Sequence, residues 1–187
     1  MANNRQRHDA ITTGNICLVG LMGSGKSTVG PLLADKLDFT SVDLDAHISS
    51  SLKRSIREIF EEQGEERFRA EESRQLRLAC ANGKQVIACG GGVVLSPENR
   101  GFLRRQTTVY LKVSPEVLAQ RVGAAKDRPL LAGAASPVQR LATLLKEREP
   151  LYLDCARITV LAEGKGPHVI VDDLLTRLPA HESPETP

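Results

Sequence analysis

The stretch GLMGSGKST, Gly20 to Thr28, follows directly on the apolar run Ile16-Cys17-Leu18-Val19. Glycines where a buried strand ends free backbone N–H groups to converge on an anion, and a helix beginning at Lys26 adds the positive end of its dipole. The spacing of Gly20, four residues, then Gly25-Lys26-Ser27 matches the P-loop pattern in full. Each part has an expected task. The amides of Gly23, Ser24, Gly25, Lys26, Ser27 and Thr28 would cradle the α- and β-phosphates of a nucleoside triphosphate, Lys26 would reach the β/γ oxygens, and the Ser27 hydroxyl would ligate Mg²⁺. A strand before the loop and a helix after it argue against a chance Gly-rich turn, so nucleoside triphosphate binding is the first expectation.

At 187 residues the chain suits one domain with a full core. Its 25 Lys and Arg against 23 Asp and Glu leave a net charge of +2, too near balance for a nucleic-acid surface or a membrane-attracted face. Two tyrosines, four phenylalanines and no tryptophan leave little for stacking bases. The amino end, MANNRQRHDAITTG, is polar, and no run of eighteen apolar residues occurs, so the expected location is the cytosol. Cys17, Cys80, Cys89 and Cys155 form no CxxC pair, which suggests reduced thiols and neither a disulfide framework nor a zinc site. Residues 1–13 and the Pro-rich end 179–187 are expected to be disordered tails around a single domain, 14–178.

Outward from the loop, β-branched runs recur as NICLVG, TSVDLD, QVIACGG, TVYLKV and RITVLA. Helical patterns separate them, at about 26–37, 45–52, 55–63, 65–82, 97–104, 115–122, 137–153 and 167–178. This alternation predicts an α/β fold with a parallel sheet covered on both faces and a ligand site beyond the carboxyl ends of the strands. The first strand delivers the phosphate loop there, the second Asp43-Leu44-Asp45, and the third Cys89-Gly90-Gly91-Gly92. Between helices, RVGAAKDRPLLAGAASP has little apolar periodicity and suggests a flap, or lid, at about 123–136.

Asp43 and Asp45 are expected to diverge if a helix begins between them. One would complete the Mg²⁺ shell near Ser27 and the other accept a proton from an attacking hydroxyl; the absence of an acid in VIACGGG favours Asp43 for the metal. Either residue could also be only the cap of the next helix. In GEERFRAEESRQLRLACANG, Phe68, Glu72, Leu76 and Ala79 share one face, which sets a carboxylate on the apolar stripe with Arg69 three residues away. Glu72 either orients Arg69 toward an anionic substrate or makes a plain surface ion pair, while the other Glu and Arg residues of the segment are expected at the surface. Gly90-Gly91-Gly92 lets a ligand approach the backbone. Arg128, in the flap, would supply positive charge on closure, and Arg148, from the following helix, could clamp an acceptor carboxylate.

Together GLMGSGKST, VDLD, SIREIFEEQGEERFRAEE, ACGGG, DRPLL and EREPLY, in this order, resemble the shikimate kinases. The resemblance implies a three-layer αβα fold like the nucleoside monophosphate kinases, with a five-stranded parallel sheet in the order 2-3-1-4-5, a helical substrate-binding segment at about 44–82 and a short lid. It implies ATP-dependent phosphorylation of the 3-hydroxyl of shikimate, a step toward chorismate and the aromatic amino acids, with one Mg²⁺ per subunit. By the family pattern Asp45 binds the reacting hydroxyl and acts as base, Arg69 and Arg148 grip the carboxylate, Gly91 gives backbone contacts, and Phe60 and Phe68 line the pocket. Asp43 and Ser27 attend Mg²⁺, Lys26 and Arg128 the phosphates, Arg121 lies against adenine, and Lys165 contacts adenine or ribose. Expected partners are shikimate and MgATP, with no nucleic acid and no membrane, and the chain is expected to be a monomer. Cys89, before the glycines, would make the site sensitive to thiol reagents. A kinase for gluconate or a nucleoside monophosphate is the neighbouring reading; a nucleotide-dependent switch lacks NKxD and DxxG motifs.

Overall fold

The computed structural model describes residues 14–122 and 136–178. The lid at about 123–136, with Arg128, and both tails therefore lie essentially outside the described residues. Five strands, β1 (Ile16–Val19), β2 (Thr40–Asp43), β3 (Gln85–Ala88), β4 (Thr107–Lys112) and β5 (Ile158–Leu161), pair in parallel in the order 2-3-1-4-5. In the middle, β1 aligns Ile16 with Val86 on one side and with Thr107 on the other. All four β1 residues are buried, as a strand covered on both faces requires, whereas the edge strands carry exposed Thr40, Ser41 and Leu161.

Among the described residues seven α-helices connect and flank the strands: α1 (Lys26–Leu37), α2 (Leu44–Leu52), α3 (Ile56–Ala81), α4 (Pro97–Arg104), α5 (Pro115–Val122), α6 (Pro137–Cys155) and α7 (Pro167–Arg177). α1 packs with α7, and α6 packs with both α4 and α5. Proline opens α4 and α6 behind Ser96 and Ser136, whose hydroxyls cap the Asn99 and Gln139 amides at 3.4 and 3.3 Å. The expected helices at 55–63 and 65–82 are the two arms of α3, joined at Gly64, whose φ of 81° breaks the helical ladder. Ser55 and Glu58 form a reciprocal capping box at its start.

α2 and the two arms of α3 share a small core of their own, Ile48, Ile59 and Phe68, backed by Leu52, Ile56 and Phe60. It ties this helical pair into a unit beside the sheet. Glu71 corrects the expectation of a solvated charged face: it is buried, taking Arg74 at 2.7 Å, Gln75 at 2.9 Å and the Ser51 hydroxyl of α2 at 3.1 Å. The Arg74 hydrogen bonds hold its carboxyl well below the usual carboxylate range, at about 2. Among the described residues no helix is long and apolar enough to cross a membrane.

Candidate active site

Two cavities meet at the carboxyl ends of β1, β2 and β3. The first, about 440 Å³, is lined by Gly23 to Val29, Asp43, Cys89, Arg121 and Lys165, among others. Gly25 caps α1 at φ 100°, and no side chain caps that helix, so its first amides are left for a ligand. A Cβ at Gly25 would meet nothing within 4 Å, because the space above it is the cradle itself. Lys26 folds over the loop and donates to the Gly20 and Leu21 carbonyls at 2.8 and 2.9 Å and to Ser24 Oγ at 3.2 Å.

Asp43 caps the helix that follows it and also meets Ser27. Its Oδ1 accepts the Ala46 amide at 3.1 Å as the cap of α2, and its Oδ2 accepts the Ser27 hydroxyl at 2.7 Å. A hydroxyl and one carboxylate are a hard-oxygen donor pair suited to Mg²⁺, which binds through few protein ligands and leaves the rest of its shell to water and phosphate. No group of three or more His, Cys, Asp or Glu able to hold a metal occurs among the described residues. Arg121 reaches the Gly23 carbonyl at 3.4 Å and the Ala162 carbonyl at 3.1 Å, bridging the phosphate loop to the end of β5. Lys165, with its ammonium 3.7 Å from Asp173, stands on the same wall. Cys89 is only 2% exposed, so a thiol reagent reaches it only through the cavity.

The second cavity, about 380 Å³, is lined by Ile56, Phe60, Phe68, Arg69, Glu72, Gly90 to Gly92 and Arg148, among others. Its apolar wall is the Phe60–Phe68 pair, centroids 4.7 Å apart. Arg69 Nη1 donates to Glu72 Oε2 at 2.8 Å, while Nε and Nη2 donate to Glu65 at 3.1 and 2.9 Å. Burial works against the Arg69 charge, but the Glu72 and Glu65 carboxylates outweigh it and hold its pKa above the ordinary value. Glu72, only 1% exposed, is dominated by burial instead, which pushes its carboxyl up against the pull of Arg69 and Arg148. Glu72 is therefore no surface partner: it stands on the buried stripe with Phe68, Leu76 and Ala79 and fixes Arg69 from behind. Arg148, 4% exposed, donates to the Gly91 carbonyl at 3.2 Å, and its Nε has no hydrogen-bond partner among the described residues.

The glycine run has a steric cause beyond ligand approach. A Cβ at Gly90 would overlap Glu72 Oε1 and come within 2.9 Å of Asp45 Oδ1, and one at Gly92 would overlap the Arg69 guanidinium. Gly90 and Gly92 are thus absent side chains whose space is filled by the charged groups of α2 and α3. Gly91 lies against the phosphate loop, its missing Cβ 3.5 Å from the Gly20 carbonyl and the Met22 amide. Met22, Asp45 and Gly91 line both cavities. Met22 was not singled out from sequence, since one thioether in a phosphate loop has no spacing signal.

A nucleotide-type cradle opening into a cavity walled by two arginines and two phenylalanines agrees with what known proteins show. Residues 22–179 match the family described as shikimate kinase. The chain belongs to the shikimate kinase family. It is 46% identical over 166 residues to the shikimate kinase of Synechococcus sp. (strain RCC307), covering 88% of this chain and 84% of that protein. It is 40% identical over 165 residues to the shikimate kinase of Nostoc punctiforme, covering 88% and 91%. Among solved structures, the shikimate kinase from Acinetobacter baumannii in complex with shikimate superimposes with a TM-score of 0.87 at 37% identity, covering 90% of this chain and 94% of that one. A gluconokinase from Sinorhizobium meliloti, 20% identical with a TM-score of 0.55, shares the fold alone. Family membership makes the chain an ATP-dependent kinase of shikimate in the route to aromatic amino acids.

Proposed function

We propose that this chain moves the γ-phosphoryl of MgATP onto the 3-hydroxyl of shikimate across the junction of its two cavities, with Asp45 as the group that receives the hydroxyl. The observation that carries this reading is that Asp45 is the ionisable side chain lining both cavities. The donor lies in the first cavity: amides of Gly23 to Thr28 hold its phosphates, Lys26 exchanges the loop carbonyls for the β/γ oxygens, and Arg121 and Lys165 face its adenosine end. Ser27 and Asp43 would hold Mg²⁺, which would supply positive charge against that of the phosphates. Arg128 is assigned to the transferred phosphoryl from the family pattern.

The acceptor lies in the second cavity. Its carboxylate pairs with Arg69 and Arg148, whose planar forks suit bidentate recognition, and its ring packs on Phe60 and Phe68. That grip turns the hydroxyl toward Asp45, which orients it and takes its proton as the P–O bond forms. Because the transition state is loose, alignment and charge stabilisation contribute more than deprotonation. The unit is read as a monomer in the cytosol with one Mg²⁺. The deciding experiment is ADP release from MgATP with shikimate, gluconate, AMP or no acceptor. Shikimate alone is expected to stimulate it; equal release in all four would overturn the assignment.

A further inference from the structure

α6 carries Arg148 and Tyr152 one turn apart, on one face. Both donate to a single acceptor, the Gly91 carbonyl, which takes Arg148 Nη1 at 3.2 Å and also the Tyr152 hydroxyl. Two lone pairs make a carbonyl oxygen able to hold two such donors and no more. The glycine run has no side chains with which to fix its own peptide planes. The Gly90 and Gly92 carbonyls are held by the Val93 and Leu95 amides at 3.1 and 3.0 Å, so the orientation of the middle carbonyl is left to α6.

The Tyr152 ring is fully buried and stacks on Tyr110, centroids 5.1 Å apart at 23°. Tyr110 is in turn bonded to Glu149 at 3.3 Å, and Glu149 is paired with Lys112 at 2.8 Å. The phenol has no room to swing away. Burial above all raises its pKa, so it stays a donor through the neutral range.

We propose that Tyr152 is a positioning residue for the acceptor: by holding the Gly91 carbonyl toward α6, it fixes the Gly91–Gly92 peptide beside the acceptor cavity and keeps the Arg148 guanidinium facing that cavity. The inference rests on the reading that Arg148 and Gly91 belong to the shikimate site. Without the hydroxyl, Arg148 is the remaining donor on that oxygen among the described residues. Either the guanidinium sinks onto the carbonyl and leaves the cavity, or the carbonyl turns outward and its partial negative charge meets the acceptor's carboxylate. Both outcomes weaken shikimate and spare the phosphate loop.

Tyr152→Phe removes one oxygen and keeps the ring, its volume and its stacking. Kinetics with shikimate and MgATP varied separately should show KM for shikimate raised about 5- to 30-fold, the worth of one buried hydrogen bond, with KM for MgATP within about twofold of the parent. Tyr110→Phe, at the other end of the stack, should leave both KM values unchanged while lowering Tm. If Tyr152→Phe lowers Tm but moves neither KM, its role is structural and the inference fails. Arg148→Ala in the same assay separates the two levels. An unchanged shikimate KM there overturns the site assignment itself, whereas loss at Arg148 with none at Tyr152 overturns only the role given to the tyrosine.

Discussion

Asp43 and Asp45 are two residues apart and separated by the start of α2, and that boundary sends one carboxylate to Ser27 and the other to the junction of the cavities. The divergence was legible because a strand that ends at a capping aspartate turns the next side chain through the helical angle. On the proposed mechanism Asp45→Asn keeps the shape and removes the proton acceptor. Its kcat should fall by about 10² or more with KM for MgATP near the parent value, read by single-turnover ADP formation. Turnover near the parent value would remove Asp45 from the chemistry. Tyr152 was not legible in this way: one tyrosine four residues beyond an arginine looks like core, and its link to Gly91 spans 61 positions.

At the scale of elements, the glycine run and the α2–α3 pair are built for each other. Gly92→Ala places a methyl where the Arg69 guanidinium stands, so the arginine must leave Glu72 or the loop must shift. Shikimate KM should rise at least about tenfold with little change in Tm, a combination that a simple turn glycine would not produce. Beside their shared apolar core, α2 and α3 are also linked through the buried Glu71, whose contribution has a sign that can be worked out. Because its folded pKa is depressed to about 2, its contribution is complete above the ordinary carboxylate range and is lost as pH falls from about 4.5 toward 2. Glu71→Gln should therefore cost on the order of 1–2 kcal/mol at pH 7 and flatten the acid limb of the stability curve in that window, as followed by urea unfolding against pH. An acid limb identical to the parent's would show that Glu71 does not supply it. Sequence periodicity missed Glu71, because its neighbours on α2 are remote in the chain and a Glu beside two arginines resembles any solvated face.

For the whole molecule, the two ligand sites draw on β1, β2, β3 and helices α1, α2, α3 and α6, so ligand binding should be felt as global stability. Shikimate at about 100 times its Kd should stabilise the folded state by about 2.7 kcal/mol, a Tm rise of roughly 5–10 °C for a domain of this size, measured by calorimetry. Gluconate, which has the carboxylate but not the ring, should give a much smaller rise; equal rises with both acids would contradict selection of the ring by Phe60 and Phe68. The sequence alone established the phosphate-loop pattern, the alternation of strand and helix, and the apolar stripe on which Glu72 stands, since each is a local matter of spacing, dihedral preference and side-chain period. Tertiary structure alone decided which groups face one another: that Asp45 lines both cavities, that Gly90 and Gly92 vacate space for carboxylates and a guanidinium, and that Arg148 and Tyr152 share one carbonyl. Those relations join residues from 18 to 61 positions apart, and only packing against a common sheet brings such side chains within hydrogen-bonding reach.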